Sequence, residues 1–109
     1  MAKILVLVNS GPTEKLKVRS GLTFARVAHD RGAEVRVIFF ADGVQVPLAQ
    51  DPDFEEALAA LSERGIVPLV CRRILETSGG PLELPGFEVV YIGADLVGAV
   101  DEGFQVVSF

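Results

Sequence analysis

The chain holds one cysteine, Cys71, placed where an apolar run gives way to two arginines: Gly65-Ile66-Val67-Pro68-Leu69-Val70-Cys71-Arg72-Arg73. A thiol at the carboxyl end of a buried strand, beside fixed positive charge and near the start of a short helix, is expected to be partly accessible and biased toward thiolate, the nucleophilic form of sulfur. Read as packing, the same residue is a small apolar filler, because free cysteine is among the most buried residue types. Arg72 and Arg73 carry a matching ambiguity. One can stabilise the thiolate or grip an anionic partner, while the other pairs with Glu76 a helical turn further on.

A second candidate is the turn Asn9-Ser10-Gly11-Pro12-Thr13, which can present backbone amides to an anion at a helix start. With Gly43 of the next such turn, Ser10, Gly11 and Thr13 make up the candidate anion-binding set. The turn lacks both the Gly-x-Gly-x-x-Gly dinucleotide fingerprint and the P-loop lysine, and helix capping by Ser10 or Thr13 accounts for the same residues without a ligand. His29, near the end of the first helix, reads as a surface or capping residue away from the strand ends that gather ligands. A Cys-His pair is therefore not expected. Asp42 and Asp95 fall in loops at those strand ends, where carboxylates serve either acid-base chemistry or turn capping.

Composition removes several classes of function. The net charge is −5, half of the residues are apolar and 23% are charged. A nucleic-acid footprint needs a basic patch, and scattered arginines do not supply one. One cysteine and one histidine cannot complete a four-ligand zinc site without carboxylates at ligand spacing, and none show it, so no metal is expected. The longest apolar runs fall far short of the roughly 20 residues needed to span a bilayer. The run after Met1-Ala2-Lys3 is too short for a secretory signal. These readings place the protein in the cytoplasm, where a lone thiol reacts transiently or with another molecule.

The elements that position these residues follow from periodicity. Lys3 to Val8 is a continuous apolar run, as expected of a strand buried on both faces of a parallel sheet. Leu16, Ser20, Phe24, Val27 and Ala28 recur at helical spacing up to the stop at Asp30-Arg31-Gly32. Glu34 to Phe40 is a second strand, ended by Asp42-Gly43, and Val44 to Ala49 is short and helical or irregular. Asp53 to Arg64 is a helix capped by Asp51 or Asp53, with Phe54, Leu58 and Leu61 on one face. Ile66 to Val70 is a third strand that Pro68 pushes toward an edge, a bulge or an irregular start. A short helix over Cys71 to Thr77, a strand over Phe87 to Ile92, a helix from Gly93 to about Asp101 and a strand over Phe104 to Val107 complete the chain.

Strands alternating with helices predict one domain over residues 1–109, a three-layer α/β sandwich built on a mainly parallel five-stranded sheet with right-handed crossovers. In such a sheet ligands gather beyond the carboxyl ends of the strands. Four loops meet there: Asn9 to Thr13, Ala41 to Val44, Cys71 to Arg73 and Gly93 to Asp95.

The order of these motifs resembles the DsrE family of small α/β proteins. The likeness runs from the first strand and Ser10-Gly11-Pro12 through Leu22-Thr23-Phe24-Ala25, Gly32-Ala33-Glu34-Val35 and Val37-Ile38-Phe39-Phe40 with Asp42-Gly43-Val44. Its most specific part is Gly65-Ile66, the short strand ending in Cys71, Leu75 and the Ser78-Gly79 turn. The resemblance implies a sulfur carrier without a cofactor, in which Cys71 accepts sulfur as a persulfide from one protein and passes it to another, and a homo-oligomer, a trimer or hexamer. Arg72 and Arg73 depart from the small polar residues that often follow the cysteine in the family. Two other readings stand beside the carrier: a non-catalytic module for a small anion or nucleotide, and an oligomeric scaffold with an inert cysteine.

Overall fold

The computed structural model covers all 109 residues. Its five strands form one sheet in the order β4-β3-β2-β1-β5, with every neighbouring pair parallel. The strands are β1 (Lys3–Val8), β2 (Glu34–Phe39), β3 (Leu69–Cys71), β4 (Glu88–Val90) and β5 (Gln105–Ser108). Between them run α1 (Lys15–Asp30), α2 (Pro52–Glu63), α3 (Arg72–Ser78) and α4 (Ile92–Asp101), with 3-10 turns at Pro12–Glu14 and Ala41–Gln45.

The strand order fixes the layers. Successive crossovers from β1 to β4 step in one direction and the last, from β4 to β5, steps back across the sheet. Right-handed connections then put α1, α2 and α3 on one face and α4 on the other. Side chains agree. Phe109, following β5, packs on Gly21 and on the Phe24 ring of α1, with ring centroids 5.6 Å apart. Arg36, which points to the opposite face of β2, makes a fork-to-fork pair with Glu102 at the end of α4 (3.0 and 3.2 Å) and lies 4.3 Å from the Phe104 ring.

A cluster of twenty buried residues fills the two interfaces, centred on Leu5, Val6 and Val8 of β1 and Val37, Ile38 and Phe39 of β2. β1 is apolar from Ile4 to Val8 and β2 from Val37 to Phe39, where both faces of the sheet are covered. The face that α1 buries is Val18, Gly21, Leu22, Ala25 and Ala28. This corrects the sequence reading: Leu16 and Val27 are on the outer side at 79% and 39% exposure, and of the apolar set given above Ala28 alone is fully buried. Two helical stripes of similar spacing run along α1, and Gly21, invisible to an apolar count, marks the one that meets Phe109. In α2 the expected face is the observed one, with Phe54 and Leu61 buried and Leu58 packed against the core.

Asp51 caps α2, its Oδ1 accepting from the Asp53 amide at 2.9 Å. The two long helices lie side by side and are pinned at both ends. Lys15 at the start of α1 reaches Asp51 and Asp53 (3.0 and 2.8 Å), and Arg64 after α2 forks onto Asp30 at the end of α1 (2.7 and 3.1 Å). Pro68 delays β3, which begins only at Leu69. The Pro68 carbonyl still accepts from Glu88, so the ladder to the β4 side starts one residue before the strand does.

Candidate functional site

The carboxyl ends of β1, β2, β3 and β4 meet at one edge, and Cys71 is the last residue of β3 and the N-cap of α3. Its strand partner is Val90, so the next residue on the β4 side is Tyr91, the N-cap of α4. Cys71 shares its sheet face with Leu69 and lies on the side that α4 covers. It is 4% exposed. The partial accessibility expected of a strand-end thiol is not what the structure displays, and α4, which packs back over β3, is the physical reason.

Arg72 and Arg73 open α3 and turn toward one carboxylate. Arg72 Nε donates to Glu76 Oε2 at 3.4 Å, and Arg73 Nε lies 4.0 Å from Glu76 Oε1. The Tyr91 hydroxyl donates to the same Glu76 Oε2 at 2.8 Å. Both guanidinium carbons stand over the Tyr91 ring, at 5.5 and 5.6 Å from its centroid, within the range of cation–π attraction. The Tyr91 hydroxyl, followed by Arg72 and Arg73, holds the Glu76 carboxyl below the usual carboxylate range. The arginines are therefore engaged with Glu76 and Tyr91. Tyr91, the chain's one tyrosine, was missed by the sequence reading; the signal available was its place directly after the strand that pairs with Cys71.

The first two loops pack closely on each other, and the first is hydrogen-bonded to Phe109. The amides of Asn9 and Ser10 both donate to the Phe109 carbonyl, at 2.9 and 3.1 Å, and the Gly43 amide donates to the Phe40 carbonyl at 2.9 Å. Ser10 and Gly11 are buried, Thr13 is exposed, and Ser10 makes no side-chain cap to the 3-10 turn that follows. Gly11 and Gly43 allow backbones to touch: a Cβ on Gly11 would lie 2.9 Å from the Asp42 carbonyl oxygen, and one on Gly43 would be driven into the Val8 carbonyl. Three of the amides that an anion would need are thus taken by the fold itself. Asn9 Oδ1 is buried at this edge with no hydrogen-bond partner, a polar atom that no feature of the sequence singled out.

The largest groove, about 680 Å³, opens at the other edge of the sheet; His29, Arg36, Arg64, Val67, Leu69 and Asp95 are among its walls. Asp95 lies in the first turn of α4, which starts from the carboxyl end of β4, and it also lines this groove. Its two arginines are committed, Arg36 to Glu102 and Arg64 to Asp30. No group of His, Cys, Asp and Glu side chains stands together in a way that could hold a metal ion. No helix is long and apolar enough to cross a membrane.

A lone thiol at the end of a central strand of an all-parallel three-layer sandwich, rimmed by arginines and a tyrosine, defines a small α/β protein with one reactive-group candidate at its ligand edge. The chain belongs to the DsrE/DsrF-like family, whose profile matches residues 2–109. Among solved structures, the YchN protein of E. coli superposes with a TM-score of 0.86 at 19% identity, covering 100% of both chains. A conserved protein of unknown function from Bacteroides thetaiotaomicron, BT1422, gives a TM-score of 0.71 at 17% identity over 98% of this chain and 94% of its own. At these identities the two structures speak for the fold. No curated protein matches.

Proposed function

We propose that the protein carries sulfur on Cys71. The observation that bears this reading is the position of the only cysteine, at the carboxyl end of β3 and at the N-cap of α3, where the helix start favours negative charge. The Cys71 thiolate attacks the outer sulfur of a donor persulfide. The donor's sulfur–sulfur bond breaks, the donor leaves as its own thiolate with the electron pair, and Cys71 becomes the persulfide. An acceptor thiolate then attacks the outer sulfur of Cys71 and releases it unchanged. No second cysteine is present to convert the persulfide to an internal disulfide, so the acceptor is another molecule.

The burial of Cys71 requires the rim of α3 or α4 to yield during transfer. It also favours a second reading, an oligomeric scaffold with an inert thiol. Both readings include association into a trimer or hexamer, supported by the exposed apolar side chains of Val97 and Val100 on α4 and Val106 on the edge strand β5. In the anion-module reading, the amides of Ser10 and Gly43 are already held by internal bonds.

The deciding measurement is intact mass after incubation with a persulfide donor, before and after a reductant. A gain of one sulfur atom, removed by reductant and absent from Cys71→Ala, is the expected result. No gain, with a thiol that alkylates only after unfolding, would establish the scaffold. Cys71→Ser is the weaker control, because a buried hydroxyl without a partner destabilises by about 1–3 kcal/mol.

A further inference from the structure

We infer that Arg72, Arg73 and Tyr91 form a docking site for a carboxylate of an acidic peptide segment on the sulfur-exchanging partner, and that Glu76 occupies this site as an internal placeholder; the inference rests on the carrier reading above. Two guanidinium groups and one phenol converge on a single carboxylate. The pairing is unequal. Arg73 stands at 4.0 Å from Glu76 with 75% of its side chain exposed, so most of its donors face water, while Tyr91 beneath it limits where the guanidinium can go. One positive charge of the two is left uncompensated within the cluster. A planar fork held over an aromatic ring is suited to a carboxylate, which it can bind through two hydrogen bonds.

Location gives the site its use. Arg72 follows Cys71 in sequence, and Tyr91 follows the residue paired with it, so a carboxylate bound here lies at the same strand-end edge as the thiol. The surface is open; the largest groove is at the opposite edge, and enclosed pockets are the usual home of small molecules. An extended acidic segment with its own cysteine fits an open rim. The chain's net charge of −5 repels such a segment at long range. At ~0.1 M salt the screening length is about 10 Å, so the local arginines decide the encounter once the partner is in contact.

The test uses three short cysteine peptides of the same length, one acidic, one neutral and one basic, each activated as a thiopyridyl disulfide. Capture by Cys71 in the folded protein is followed by release of thiopyridone. The acidic peptide is expected to react about tenfold faster than the basic one at low salt, with the advantage shrinking as salt is added. R72A/R73A should bring the two rates together. Should that double variant slow the neutral peptide as well, R73E, at an exposed position, is the decisive variant and should invert the preference. E76Q should speed the acidic peptide severalfold. Equal rates in the native protein, or a preference that neither arginine variant alters, would overturn the docking site and leave the carrier intact. Capture of none of the three until the protein is unfolded would overturn the carrier reading, and the docking site with it.

Discussion

Cys71 and the two arginines show how far residue type travels without environment. In the sequence the pair reads as activation of the thiol, grip on a partner or pairing with Glu76; in the fold both guanidiniums meet Glu76 as that last reading had it, but they also stand over Tyr91, and the thiol is covered. The part played by Tyr91 was not legible because it follows β4, beyond a long loop, and nothing local in the sequence links it to Glu76. Gly43 is the sharpest single-residue case. A methyl group there would be pressed into the Val8 carbonyl at the end of β1, where neither backbone can give without breaking the turn. Gly43→Ala is expected to lower stability by about 3 kcal/mol or more, read as a drop in the urea midpoint at unchanged slope. A shift of less than about 0.5 kcal/mol, the size of an ordinary surface substitution, would show that the loop has room to move.

At the level of elements, the caps and the apolar runs were readable because they are local. Asp51 is a clear instance: its side chain satisfies the Asp53 amide and also holds Lys15 of α1. Removing it loses both a cap and an anchor. Asp51→Ala is expected to cost about 1 kcal/mol, within the usual range for an N-cap, and Asp51→Asn, which keeps the cap and drops the charge, should recover most of it in thermal or urea unfolding. Phe54, fully buried on α2, sits at the other end of the scale, and Phe54→Ala should cost about 3–5 kcal/mol through the cavity it leaves. The ends of β3 and β4 were less legible. Their strands are only three residues each, set by pairing across the sheet and by Pro68, so a periodicity count started β3 three residues early and ended it one short, and overran β4 at both ends. The buried face of α1 was misread for a related reason: a small residue, Gly21, determines which stripe faces the sheet.

For the whole molecule, charge arrangement predicts how stability varies with pH. Asp30 is held below the ordinary carboxylate range by Arg64, Asp51 by Lys15 and the Asp53 amide, Glu76 by the Tyr91 hydroxyl and Arg72, and Glu102 by Arg36. Each carboxyl binds a proton more readily in the unfolded chain. Protonation therefore favours unfolding, and the stabilisation is complete above the ordinary range near pH 4 and lost as pH falls through the lower folded values. Lys15 and Arg64 are shifted upward by the same pairs, so their share is lost only at strongly alkaline pH. The urea midpoint should be flat from about pH 6 to 8 and decline below about pH 4.5. Because these groups are exposed, high salt should shrink the decline. A midpoint that falls instead between pH 6 and 8 would assign the sensitivity to a different group.

The sheet order has a further consequence. β1 lies inside the sheet only because β5, drawn from the other end of the chain, is laid along it. The Phe109 carbonyl then occupies the amides of Asn9 and Ser10. The final strand is therefore the stopper of the fold. With it gone, the most apolar strand of the protein becomes a bare edge with unpaired backbone groups along it, a template onto which another chain can add. Clipping of a few residues in this segment would turn a finished sheet into a seed for aggregation and, in the same event, hand two free amides to whatever anion is near.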